Sequence, residues 1–581
     1  MHQPGGAAPH PGRAGGGCRA AGCAAGRRRL TQPVERLAPR RAVMAALTAG
    51  ITLGLLALAW AVLSAGGWTP WEALILLCYG ANAPWLGLAA ATGLVGLGVR
   101  LLAADPDALV VPSLRRAEGP LRTRTLIAAC VRLEDMGAVL PPLARLLRDL
   151  RAQHGDAFVL GILSDTPCGP AAEAEAAAVA ALAARVPDAA LRYRRRTENA
   201  GFKAGNLMDF LDHHAEGFDF ALVLDADSEM SAAAVTRLVL AMQADPALAV
   251  LQGNTQPAGM QTRFARLFGL GHRQGGRIWS TGQAWWQGPR QPWWGHNALL
   301  RIAAFRRDAR LPTLPGGTPV LSHDHPEAAM LHAAGWAVRV LPDDAGSFEQ
   351  HPPDLPAFFG RDLRWAAGNL QWLGLLRRPE FSRLGRFQMV LGVLHYALAP
   401  LWLAVLPLAA LNLATGGGDA TPPGLLLALV LASFVALNLP KLAGHAESLL
   451  RPGRTRRATL LREAAQDLAF GLLLEPVAAL EHTLTLLRLA RRRLSGWAPQ
   501  RRVPEAVGWA MALRRFAPQT LLGLALLPGF AAGGTMALLI LPGIAGLLLA
   551  APLAVWSARP IGTAPRRPAP LRAERARPPT G

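Results

Sequence analysis

Three carboxylates follow an apolar run in the stretch ALVLDADSEM: Asp225, Asp227 and Glu229. The Asp-Ala-Asp spacing, where a strand turns out of a sheet, lets two carboxylates approach one divalent cation directly or through water. Magnesium and manganese favour oxygen ligands of this kind combined with phosphate oxygens. A cation held there would neutralise a diphosphate and stabilise it as a leaving group. The same spacing also suits solvated turn residues. Just upstream, ENAGFKAGNLMDF (198–210) sets Lys203 in a small-residue loop before a helical pattern. A cation beside backbone amides at a helix start suits a phosphate or a carboxylate. Lysine occurs only at Lys203 and Lys441, which favours a specific role over a chance surface position.

Two further segments carry candidate groups. In LSHDHPEAAM (321–330), Asp324 opens a helical pattern and on that segment alone reads as a cap; His323 and His325 flank it without a third ligand at zinc spacing. In GRDLRWAAGNLQW (360–372), Arg361, Arg364 and Trp365 fall on one helical turn. That grouping can hold a phosphate and offer an aromatic face to a sugar. An amphipathic helix seating Trp365 at a membrane interface is the other reading, and the two are compatible.

The elements that must position these groups alternate. Strand-like runs cover 125–131 and 157–163, then a stretch near LRYR, and 218–225; helical patterns cover 141–153 and 171–185. Alternation of this kind argues a parallel sheet with helices on both faces, with ligands beyond the carboxyl ends of the strands. Glu134 and Asp135 follow the first strand, Ser164 and Asp165 the second, and Asp225 and Asp227 the fourth, so the acids would line one crevice.

Around this region the chain is apolar. Its 581 residues are 51% hydrophobic, with mean hydropathy +0.23 and net charge +21. Runs near 43–65, 73–99, 388–412, 423–440, 516–532 and 536–556 are candidate membrane spans. The loops 66–71 and 413–422 lack Lys and Arg, while arginines gather on the opposite sides of the spans. The positive-inside rule therefore puts both termini and the central region in the cytoplasm, and accounts for the basic charge without nucleic acid. The run 468–487 contains Glu475, Glu481 and His482 between basic flanks and reads as an interfacial or buried helix, which leaves six to eight spans. The expected organisation is a basic, disordered tail over 1–42, a transmembrane hairpin over 43–104, a cytoplasmic domain over 105–387, transmembrane and interfacial helices over 388–557, and a basic tail over 558–581. The five scattered cysteines give no disulfide or zinc framework, with Cys18 and Cys23 the only weak pair.

The ordered set Glu134-Asp135, Asp165, YRRRTENAGFKAGNLMDF, VLDADSEM, WWGHNALLR, LSHDHPEAAMLHAAGW and RDLRWAAGNLQW resembles the processive membrane glycosyltransferases of family 2. Within them it is most similar to the inner-membrane branch that makes osmoregulated periplasmic glucans. The resemblance implies an α/β glycosyltransferase A-type domain, Rossmann-like, inserted between transmembrane α-helices. It implies UDP-glucose as donor, a growing glucan chain as acceptor, a divalent metal (Mg2+ or Mn2+) on Asp225 and Asp227, and a lipid bilayer as setting. By the same resemblance Glu134, Asp135 and Asp165 contact the uridine, Lys203 and Arg364 the phosphates, and Trp365 the acceptor sugar. Asp324 is then the general base of an inverting transfer that builds a β-1,2-linked backbone and passes it outward, with a periplasmic glucan-processing protein as a possible partner. Arg361 stands where the broader group has Gln, and Ser-His-Asp where it has Thr-Glu-Asp. Both departures weaken the case for cellulose or hyaluronan synthesis.

Other readings compete with this one. A non-processive family 2 enzyme acting on a lipid acceptor, or on a different β-glycan, would share the acids and the base. A nucleic-acid-binding protein lacks the basic modules interleaved with aromatics that it would need, and a transporter would concentrate charge within its spans.

Overall fold

In a computed structural model, residues 35–186, 190–451, 455–491 and 504–561 are described. Cys18, Cys23, most of the N-terminal basic tail and the C-terminal arginines lie outside them.

Among the described residues ten strands form two sheets: β1 (Thr125–Val131), β2 (Phe158–Ser164), β3 (Leu191–Arg195), β4 (Phe220–Asp225), β5 (Glu229–Met230), β6 (Leu248–Gly253), β7 (Gln256–Ala258), β8 (Ala298–Arg301), β9 (Ala337–Leu341) and β10 (Ser347–Gln350). The large sheet has the order β3-β2-β1-β4-β8-β6-β9 and the small one β5-β10-β7. Side chains alternate across β1: Ile127, Ala129 and Val131 pack into one core, Leu126 and Ala128 into another. The first core is closed by the helices Met136–His154 and Ala232–Ala244, the second by Phe202–His214, Ile302–Asp308 and Asp324–Ala333. Burial on both faces explains why β1, β2 and β4 are almost wholly apolar.

The expectation of a parallel sheet holds for β3-β2-β1-β4 and for β6-β9, but β8 runs antiparallel to both β4 and β6. A short apolar run such as ALLR carries no mark of its direction, so the sheet is mixed.

Helix Met136–His154 buries Met136, Val139, Leu140, Leu143, Leu146, Leu147 and Leu150, a stripe of helical spacing. Its start is capped by Asp135, whose Oδ1 accepts the Gly137 amide at 2.9 Å. The next strand, β2, ends at Ser164, beside which Thr166 Oγ1 accepts the Leu133 amide at 2.9 Å. These bonds fix the turns beyond the strand ends.

Among the described residues, five helices are long and apolar enough to cross a membrane: Leu37–Leu63, Pro70–Leu102, the two segments within Arg383–Ala414, Pro423–Leu450 and Arg457–Ala490. The first begins inside the segment expected to be a disordered tail. The runs 516–532 and 536–556 instead form the shorter helices Ala517–Ala532, Thr535–Leu548 and Ala550–Ser557. Arg457–Ala490 contains the ambiguous run 468–487, and two of the helix's acids, Asp467 and Glu481, are paired. Glu481 accepts from Arg515 at 2.6 and 2.9 Å and from Gln519 at 2.8 Å, and Asp467 lies 2.9 Å from His445 Nε2. Pairing removes much of the penalty that made a buried position costly in the sequence reading.

The sheet domain is joined to these helices through Arg263–Gln287. Gly282 packs directly on the Thr92 carbonyl and Gly444 on the Gln274 carbonyl, approaches that any Cβ would obstruct. Arg100 adds a buried ion pair to Glu447 at 2.7 Å.

Candidate active site

The loop after β3 is built around Arg196. Its guanidinium clasps Asp165, with Nη2 2.9 Å from Oδ2, and donates to the carbonyls of Ala200 and Phe202, both at 2.7 Å. Gly201 and Phe202 both take positive φ there, which turns the chain into helix Phe202–His214. Lys203, in the first turn, reaches Asp225 at the end of β4 and donates to the Gly295 carbonyl at 2.7 Å. Burial disfavours the ammonium, but Asp225 outweighs it and raises the Lys203 pKa above its ordinary value.

Gly295 joins two parts of the site. In the WWGHN segment it has φ of 82°, and a Cβ there would lie against the His323 ring and Asp324. The Gln252 side chain holds this segment from both sides, accepting the Trp294 amide at 2.7 Å and donating to the His296 carbonyl at 2.6 Å. The acids after β4 and the start of helix Asp324–Ala333 are thereby held on opposite sides of one loop.

Asp324 does not cap that helix: the cap position is His323, without a side-chain bond to the backbone. His323 Nδ1 pairs with buried Glu327 at 2.8 Å, a structural pair in place of the zinc ligand considered from sequence. Burial raises the Asp324 carboxyl, but the imidazoles of His325 and His323 override it and hold the group at about 2. Asp324 is therefore ionised at neutral pH. The Gln371 side chain accepts the Leu321 amide at 2.9 Å, and Trp372 Nε1 donates to the Ser322 carbonyl at 2.8 Å. Helix Leu355–Gln371, which carries Arg361, Arg364 and Trp365, thus braces the Asp324 segment.

The remaining sequence candidates are distributed around this centre. Asp135 is engaged as a cap and Asp165 by Arg196, so both organise loops at the strand ends. Glu134 lies on the same turn, before Asp135. Arg361 is buried and its guanidinium covers one face of Trp365 at 4.5 Å, so that face of the indole is not free for a sugar. Among the described residues no group of three or more acidic, His or Cys side chains could hold a metal by itself. Asp225 and Asp227 fit a magnesium- or manganese-type site only if phosphate oxygens complete it, which is how such ions are commonly held.

A cavity of about 220 Å³ reaches His325, the residue after Asp324. It is lined by Trp294 and His325 on the domain side, by Gln283 and Gln287 on helix Arg263–Gln287, and by Trp85 and His395 on membrane-type helices. Indole faces and amides side by side make a surface suited to sugars. Trp85 and Gln283 had no signal in the sequence, since each sits alone in an apolar or amphipathic run.

Residues 220–439 match the family described as Glycosyl transferase family group 2. Over 568 residues the chain is 32% identical to "Glucans biosynthesis glucosyltransferase H" of Caulobacter vibrioides, covering 92% of this chain and 85% of the relative. The chain belongs to the glucans biosynthesis glucosyltransferase H family. A relative from Shewanella oneidensis is also 32% identical (86% and 71% covered), and one from Xylella fastidiosa is 30% identical (93% and 89%). Among solved structures the chain is similar to a mannosyltransferase from Pyrobaculum calidifontis in complex with GDP-Man and Mn2+, at 15% identity and TM-score 0.35, over 69% of this chain and all of that one. As a member of family 2, this glucosyltransferase has the α/β glycosyltransferase A-type domain expected from its motifs, flanked by apolar helices.

Proposed function

We propose that the enzyme transfers glucose from UDP-glucose to the end of a β-1,2-linked glucan, inverting the anomeric configuration, and feeds the chain into its membrane helices. The observation that supports this best is the cavity. It begins at His325, next in the chain to the ionised Asp324 carboxylate, and continues past Trp294 and Gln283 to Trp85.

In this reading the diphosphate lies between Lys203 and the acids after β4. Asp225 and Asp227 would hold a divalent cation that offsets charge on the departing diphosphate. Lys203, now paired with Asp225, supplies a positive charge for the phosphates as they bind. An acceptor hydroxyl in the mouth of the cavity loses its proton to the Asp324 carboxylate as its oxygen bonds to the anomeric carbon. The bond from that carbon to the diphosphate oxygen breaks on the opposite side, and UDP carries away the electron pair. A low-pKa carboxylate serves here because its proton affinity is needed only as the hydroxyl acidifies in the transition state.

The arginine-rich sides of the apolar helices support a cytoplasmic catalytic domain and a multi-pass position in the inner membrane. A periplasmic glucan-processing protein would receive the product.

The test is the purified full chain in lipid vesicles with radiolabelled UDP-glucose and magnesium or manganese, the product being analysed for size and linkage. Metal-dependent β-1,2 glucan is expected. A single glucose added to a lipid would favour the non-processive alternative.

A further inference from the structure

Beside the acids after β4 lies a second cluster that the reaction as described does not use. Strand β10 pairs antiparallel with β5, Phe348 opposite Glu229, so that from Phe348 the chain runs through Glu349 and Gln350 to His351 in the direction of Asp227. The His351 ring lies 4.8 Å from the His272 ring, edge to face, and 5.4 Å from Phe268. Arg361 lies over Phe268 at 6.0 Å.

Two features point to a ligand. His351 is only 7% exposed, yet neither of its ring nitrogens has a hydrogen-bond partner, and Arg361 Nε is likewise buried and unpartnered. Leaving such groups unpaired is costly, and native proteins rarely do so without a functional reason. His272 is open to solvent although protein surrounds it on most sides, the signature of a side chain lining a deep cleft. The cluster therefore faces an accessible space, next to the acids proposed to receive a diphosphate.

We propose that His272, His351 and Arg361 form a subsite for the terminal phosphate of a nucleoside diphosphate, holding it next to Asp227 before and after transfer. The assignment rests on the nucleotide-sugar reading above. An anion meets three donors of the required kind there: one permanent cation and two imidazoles that donate N–H bonds when neutral and become cations when protonated. Burial pushes both imidazoles down, His351 well below the ordinary range with His272 and Arg361 adding to the effect. The charged and titratable groups facing the pair are Glu349, His296, Arg361 and Lys441, and Asp227 faces Arg361; Lys441 is engaged by Asp467 at 3.5 Å. A dianionic phosphate placed among them reverses the balance and draws a proton onto the pair. Binding of the diphosphate then couples to proton uptake.

The experiment is calorimetric titration of the detergent-solubilised full chain with UDP and with UMP, in magnesium, at pH 6.5 and 8.5. Wild type is compared with the double variant His272→Asn/His351→Asn and with Arg361→Gln. Wild type is expected to bind UDP about tenfold more tightly, relative to the double variant, at pH 6.5 than at pH 8.5, with net proton uptake seen between buffers of different ionisation enthalpy. The nucleotide's own titration is common to both proteins and cancels. Arg361→Gln should weaken UDP about tenfold at both pH values, and UMP affinity unchanged in every variant shows an intact fold. UDP binding with the same pH dependence and proton uptake in the double variant overturns the subsite. Wild type that binds neither nucleotide overturns the nucleotide-sugar reading itself.

Discussion

Lys203 is held between two partners, an ion pair to Asp225 and a 2.7 Å hydrogen bond to the Gly295 carbonyl. Through Gly295 the donor-side acids are tied to the loop that touches Asp324. A shift of one side of the site is felt by the other. Replacing the ammonium removes the clamp on the loop and, in the proposed mechanism, a phosphate partner. Lys203→Met is therefore expected to weaken UDP binding by about 10- to 100-fold, the range for losing a charge-assisted hydrogen bond. Equilibrium titration with UDP in magnesium measures this, and unchanged affinity would remove Lys203 from the donor site.

Asp324 is ionised at neutral pH, since its histidine neighbours hold its carboxyl at about 2. Asp324→Asn should lower kcat by about 10²- to 10⁴-fold, the usual contribution of general base catalysis, at all pH values from 6 to 9. UDP affinity should stay within about twofold, because in the proposed mechanism the residue serves the acceptor and not the donor. An acid limb of the wild-type pH profile above pH 5 would have to come from other groups. If the Asn variant retained rapid turnover, the base would lie elsewhere.

The strands were legible where burial on both faces demands an unbroken apolar run. β1, β2 and β4 stand out on that ground, and the acids at their ends follow from the crevice rule. The antiparallel β8 was not legible, because four residues cannot encode a direction. In the candidate site, Lys203 and Asp225 were visible as charges in an arginine-rich chain, whereas the Gly295 carbonyl that unites them with the Asp324 loop is a backbone atom and leaves no compositional trace. Asp135 and Asp165 were legible as acids beyond strand ends, while the cap and the arginine clasp that fix them show only in three dimensions. His272 and His351 are far apart in the chain, so their pairing has no local pattern at all.

The His323–Glu327 pair makes a stability prediction with a definite sign. Burial lowers the His323 pKa, but the Glu327 carboxylate 2.8 Å away outweighs it and raises the net value above that of a free histidine. Such a group contributes stability that is fully present below the unfolded-state pKa of about 6.5 and is lost as pH rises through the folded-state value. Glu327→Gln keeps the shape and removes the charge. Its destabilisation should be several degrees in Tm at pH 6 and should shrink at pH 9, as thermal unfolding of the solubilised enzyme would register. A loss of Tm equal at both pH values would mean that the pair contributes by packing alone.

The cavity lined by His325 and Trp85 yields a prediction about product length. Trp85 lines its membrane-side part and lies 5.7 Å from the His395 ring. If the growing chain threads this cavity, the indole offers a stacking face to a sugar already added, worth about 1 kcal/mol or more beyond its area. Losing that face lets the chain dissociate sooner while leaving each transfer step intact. Trp85→Ala should therefore give shorter glucans at an unchanged rate of UDP release per enzyme, read by sizing the radiolabelled product beside a UDP assay. Glucan of wild-type length from Trp85→Ala would place the chain on another path, and a matching fall in UDP release would show that Trp85 acts on the transfer itself.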